Sequence, residues 1–167
     1  MHDLPYWRLS GYYFFYFAFV GAFSPYFGLY LQSLSFSAWD IGLLMSQMQL
    51  MRLCAPYIWG ALSDRLEQRV RIVRLAALLS LFGFLAFFVV QSFVAMLAAM
   101  ALLAFFWSAA LPLVETVTFD HLRDKPGQYS RIRLWGSIGF IVAVMGTGAL
   151  LDSMPLPRLL WVIVGTL

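Results

Sequence analysis

Glu115 and Arg133 are an acid and a base set inside apolar sequence. Glu115 lies in Leu-Pro-Leu-Val-Glu-Thr-Val-Thr-Phe (111–119), and Arg133 near the start of Arg-Ile-Arg-Leu-Trp-Gly-Ser-Ile-Gly-Phe (131–140). A carboxylate and a guanidinium in such surroundings can hold a polar ligand between them. The stretch that separates them carries Arg123, Asp124 and Lys125, then Pro126 and Gly127, so the chain must turn there. With the turn centred near Asp124, an antiparallel helix pair takes residues 115 and 133 to a similar depth, roughly 10–13 Å at 1.5 Å per residue. Charges at that depth in hydrocarbon are costly and face a partner or a water-filled cavity. The expectation is a polar site inside a membrane bundle.

A second base, Arg52, falls near the middle of another apolar run, with Gln49 and Pro56 on its helical face at i, i+3, i+7 spacing. An arginine at mid-membrane costs about 2.5–3.5 kcal/mol, so it should face the bundle interior. Two readings stay open. The guanidinium binds a substrate carboxylate through a two-point hydrogen bond, or it forms a structural pair with Glu115 or a backbone carbonyl.

The elements that must position these groups are membrane helices. Apolar residues make up 62% of the chain and charged residues 11%, against about 45–50% and about 25% in soluble domains. Hydropathy predicts five full spans, about 6–34, 38–62, 70–90, 93–119 and 131–151, and an incomplete sixth at 159–167. Pro25 should kink the first span, and Ser37 ahead of Asp40 should cap the second. The first run is too long and too aromatic for a cleavable signal and is expected to remain as a span. The chain stops within the sixth. If the spans alternate, Arg8, Arg65, Arg69, Arg71, Arg74, Arg123, Lys125 and Arg131 fall on one side and only Arg158 on the other. That bias puts the N-terminus in the cytoplasm, and it explains the basic clusters without nucleic acid.

Other polar and aromatic positions are less specific. Tyr12, Tyr16, Tyr26 and Tyr30, with Phe19 and Phe23 at helical spacing between them, either line a cavity or face lipid and the interfacial belt. Gln49, Thr116, Thr118, Asp120 and Trp107 are candidate cavity residues. Gly136, Gly139, Ala143 and Gly146 form a ridge that invites close helix contact. His2, His121 and the lone Cys54 have no metal-ligand spacing, so neither a metal nor another cofactor is expected. No H-E-x-x-H, G-x-S-x-G or glycine-rich phosphate loop occurs, which argues against an enzyme.

The loop after the second span reads Gly60-Ala-Leu-Ser-Asp64-Arg65-Leu-Glu-Gln-Arg69-Val-Arg-Ile72. Gly60 suits close helix approach and Asp64 suits pairing with arginines. This stretch resembles the signature loop of the major facilitator superfamily, matched at Gly60, Leu62, Asp64, Arg65 and Arg69. It departs at Glu67 and Gln68, where the pattern has glycine and arginine. The segment from Tyr129 to Phe140 is similar to the start of helix five in the phenylpropionate-permease branch and, more distantly, in the lactose-permease group of proton symporters. In lactose permeases a helix-four glutamate and a helix-five arginine eighteen residues apart bind the sugar, and Glu115 and Arg133 reproduce both types and the spacing.

The resemblance implies an all-α membrane protein, the N-terminal six-helix half of a twelve-helix major facilitator fold with its sixth helix truncated. The expected partners are the lipid bilayer, a small-molecule substrate and a C-terminal half absent from this chain. The implied activity is proton-coupled symport of 3-phenylpropionate or a related aromatic acid by alternating access, with the proton as coupling ion, in a bacterial-type inner membrane. Glu115, Arg133 and Arg52 would bind substrate, Gly60, Asp64, Arg65 and Arg69 would gate, and Tyr12, Tyr16, Gln49 and Thr116 would line the cavity. An oligosaccharide or nucleoside symporter is the alternative within the class. An intramembrane enzyme or a non-transporting structural membrane protein is the alternative outside it.

Overall fold

The computed structural model describes residues 6–66, 68–122 and 127–167. The expected turn at Asp124, the bases Arg123 and Lys125, His2 and the departing Glu67 lie outside the described residues. Among those described, every regular element is helical: α1 (Tyr6–Phe23), α2 (Phe27–Ser33), α3 (Ala38–Leu66), α4 (Arg69–Leu85), α5 (Phe93–His121), α6 (Gly127–Leu151) and α7 (Leu159–Val164). Short 3-10 turns at Ala86–Phe88 and Leu156–Arg158 extend α4 and lead into α7.

By length and apolarity, Tyr6–Ser33, Arg69–Phe88, Phe93–His121 and Gly127–Leu151 can each cross a membrane. Helix α3 has 29 residues, ample for a hydrocarbon core of about 30 Å. It falls short in apolarity because Gln47, Gln49 and Arg52 lie along it. The helix that carries the central arginine is therefore the most polar of the long ones.

Local chemistry sets the ends. Pro25 has no N–H to donate, and the chain turns at residues 24–26 before α2 begins. The turn is tied down by Tyr26, whose hydroxyl donates to the Val144 carbonyl at 2.8 Å. A Cβ on Gly148 would stand 2.7 Å from that hydroxyl, so glycine there leaves it room. At the start of α3 the Asp40 N–H donates to Ser37 Oγ at 3.2 Å, and the Ser37 N–H donates to Asp40 Oδ2 at 3.1 Å. This reciprocal box satisfies two donors that would otherwise be orphaned. Helix α6 begins at Gly127, a turn earlier than its apolar pattern suggests, and Tyr129 stacks on Phe119 at 4.7 Å.

The chain divides into two compact units, Met1–Tyr30 with Val117–Leu167, and Leu31–Thr116. In the first, α1 packs along α6. Nothing in the sequence announces this pairing of the first and fifth spans. The contact is close enough that a Cβ on Gly139 would overlap the Phe14 backbone, and one on Gly21 would stand 2.6 Å from the Phe140 carbonyl oxygen. The expected small-residue ridge is used at Gly136, Gly139 and Ala143, while Gly146 faces open space. Phe19, Phe23 and Phe27 are buried and stack in sequence, with centroids 5.3 and 4.5 Å apart. That corrects both readings of Phe19 and Phe23, as cavity lining and as lipid-facing: they are core.

In the second unit Ala55, Trp59, Ile72, Ala76, Ala109 and Leu113 form a buried cluster from α3, α4 and α5. The Trp59 indole donates to the Phe105 carbonyl at 3.1 Å, so its polar edge is satisfied. Helices α4 and α5 meet at Gly83, where a Cβ would come within 2.9 Å of the Leu103 amide nitrogen. Gly60 was expected at such a crossing, but a Cβ there would meet nothing within 4 Å. The close approach in this unit belongs to Gly83.

Candidate functional site

Arg133 stands one turn and a half into α6, half-buried against α1. Its guanidinium lies over the Phe17 ring, 4.1 Å from the centroid, and 5.6 Å from the centroid of Tyr13. Both distances are within the ~6 Å range over which a ring quadrupole attracts a cation. Tyr13 is fully buried, and its hydroxyl is 3.5 Å from Thr118 Oγ1. Gly136, one turn after the arginine, makes the space: a Cβ there would come within 2.7 Å of Phe17 Cδ2 and 3.0 Å of an Arg133 terminal nitrogen. Among the described residues of this unit, no carboxylate pairs with Arg133.

Arg52, in the other unit, has a similar environment. Its guanidinium sits 5.2 Å from the Trp107 ring centroid and donates to Gln49 Oε1 at 3.2 Å. Trp107 is buried, whereas Arg52 and Gln49 are exposed on this chain. No ion pair joins Arg52 to Glu115 among the described residues. Both intramembrane arginines thus rest on aromatic rings, with N–H donors left over for a ligand.

Glu115 is half-buried on α5, in the unit that holds Arg52, while Arg133 belongs to the other unit. Glu115 has no ion-pair partner among the described residues of its own unit. One residue on, exposed Thr116 turns its hydroxyl back onto the Pro112 carbonyl at 2.9 Å, so this hydroxyl's proton is committed to its own helix. Tyr12 and Tyr16 are half-buried and stack on each other, centroids 6.1 Å apart.

At the end of α3, Asp64 Oδ1 lies 3.9 Å from Arg69 Nη2, and Arg71 donates to Gln68 Oε1 at 2.9 Å. Arg65 is exposed. With Ser63 and Val70, the residues Asp64, Gln68, Arg69 and Arg71 line a groove of about 680 Å³. The acid–base pairing expected from Asp64 is present. Because both partners reach solvent, it is worth ~0.2–1 kcal/mol.

Sequence reasoning missed Phe17 and Tyr13. An aromatic at i and i+4 on an apolar helix is common, and nothing local tells which face of α1 meets α6. Trp107 was a candidate only by type; its contact with Arg52 depends on packing between α3 and α5.

A model of the MFS_1 like family matches residues 6–167. The chain belongs to this family of the major facilitator superfamily. It is 34% identical over 145 residues to the maltose permease of Geobacillus stearothermophilus, covering 86% of this chain and 36% of the relative. It is 30% identical over 161 residues to the uncharacterized transporter YwbF of Bacillus subtilis strain 168, covering 92% and 40%. It is 25% identical over 144 residues to the "Probable 3-phenylpropionic acid transporter" of Escherichia coli K12, covering 86% and 38%. The crystal structure of the nucleoside transporter NupG superposes with a TM-score of 0.85 at 19% identity, over 98% of this chain and 42% of that one. The fold is therefore that of a major facilitator, and the chain spans about two fifths of the length of these proteins.

Proposed function

We propose that this chain forms part of a secondary transporter that carries a small aromatic carboxylate, of the 3-phenylpropionate type, together with a proton by alternating access. The observation that carries the reading is the state of the two arginines. Arg52 and Arg133 each rest on an aromatic ring and, among the described residues, pair with no carboxylate of their own unit. Glu115 sets one negative charge against these two positive ones, so an anionic substrate is what balances them. Arg52 holds the carboxylate by two parallel hydrogen bonds, and Trp107 adds an aromatic wall beside it. Glu115 and Arg133 bind the substrate as well, Arg133 adding a second cationic contact to its anionic group, and the loop from Gly60 through Asp64 and Arg65 to Arg69 opens and closes access. Co-transport of one proton with one carboxylate moves no net charge, which lets a pH gradient drive uptake at any membrane voltage.

The relative named maltose permease favours a second reading, an oligosaccharide. Arginine, glutamate and tryptophan also suit a sugar's hydroxyls and apolar face.

The test uses vesicles that carry the complete gene product and an imposed pH gradient. Labelled 3-phenylpropionate should accumulate only with the gradient, and Arg52→Gln should cut kcat/KM by about 10–100-fold, the range for losing a hydrogen bond to a charged group. Accumulation of maltose with no uptake of the acid would establish the second reading. Full uptake in both Glu115→Gln and Arg133→Ala would remove those residues from the site.

A further inference from the structure

Arg133 is a long, flexible side chain, and a guanidinium with five N–H groups discriminates carboxylates only when its plane is fixed. Two observations say what fixes it. Phe17 lies 4.1 Å beneath the guanidinium, at the contact distance of a stacked cation and ring. Gly136 leaves space for both groups: an added Cβ would press on the edge of Phe17 at 2.7 Å and on the arginine's terminal nitrogen at 3.0 Å, and it meets no backbone within those distances. The neighbouring Gly139 differs, because its added Cβ would strike the backbone of Phe14. One glycine serves the packing of two helices. The other serves the orientation of one side chain.

We propose that Phe17 and Gly136 are positioning residues that set the plane of the Arg133 guanidinium and so determine selectivity for anionic over neutral aromatic substrates. The proposal rests on the reading of Arg133 as a substrate-binding group. Phe17 contributes its ring face, and the empty position at Gly136 leaves room for that ring beside the guanidinium. The Tyr13 ring centroid stands 5.6 Å from the same cation.

The experiment compares uptake of 3-phenylpropionate with that of its neutral amide by the complete gene product in vesicles. Phe17→Leu should raise KM for the acid about tenfold, leave kcat within twofold and leave KM for the amide unchanged. Phe17→Tyr, which keeps the ring, should restore the wild-type KM, and Gly136→Ala should reproduce the leucine variant's phenotype at wild-type expression. An unchanged KM for the acid in Phe17→Leu, or an equal loss for acid and amide, overturns the proposal. A second measurement needs no substrate: the Tm loss of Phe17→Leu with Arg133→Gln should be smaller than the two single losses added. Simple addition of those losses overturns the proposal as well. If wild-type protein transports no carboxylate while the Tm losses fail to add, the substrate reading fails and the contact between ring and arginine stands.

Discussion

At the residue scale the glycines divide into those that carry contacts and those that do not, and the sequence alone does not separate them. Gly139 and Gly146 lie on the same expected ridge, yet only the first touches α1. Gly139→Ala should therefore cost about 1–3 kcal/mol, the usual penalty of overpacking a contact that cannot relax. Gly146→Ala should stay within about 0.5 kcal/mol of wild type. Thermal unfolding of the two variants in detergent decides it; equal Tm values would show that the α1–α6 approach is looser than described. What was legible at this scale was the presence of charges that apolar sequence does not tolerate without a reason: Glu115, Arg52 and Arg133. What was not legible was the surface each base rests on, because Phe17 and Trp107 reach their arginines through tertiary packing, which has no local signature.

At the element scale the helix ends follow from short-range chemistry, and they read well. Ser37 and Asp40 announce the start of α3, and their reciprocal hydrogen bonds are present. Ser37→Ala should lower stability by ~1 kcal/mol, measurable as a Tm shift that Ser37→Asn largely restores. Pro25 likewise announces the interruption of the first span. The tie from Tyr26 to the Val144 carbonyl could not be seen in the sequence, since its two ends are 118 residues apart. Tyr26→Phe should destabilise by about 0.5–1.5 kcal/mol and speed amide exchange at residues 24–30 above that at 9–15. Uniform exchange across both stretches would show that the hydroxyl does not hold the turn. The fifth span starts at Gly127, earlier than predicted, because hydropathy registers the apolar part of a helix and is blind to a polar first turn.

For the whole molecule, class and family were readable from composition, topology and the loop at 60–72, and the family match over residues 6–167 bears this out. The pairing of helices was not. Hydropathy gives each span but not its partners, and the packing of α6 along α1 joins helices more than a hundred residues apart. The tie between α1 and α6 also limits how this part of the molecule can move. Gly21 meets Phe140 and Gly139 meets Phe14, so the two helices are keyed together at two levels, and Tyr26 in the turn after α1 adds a third tie past Gly148 to Val144. Packed helices commonly adjust by sliding an ångström or two past one another. Sliding here would drive backbone atoms out of their notches and into adjacent side chains, so the register of α1 on α6 is fixed. The pair behaves as one beam, able to tilt or turn as a unit but not to shear along its length.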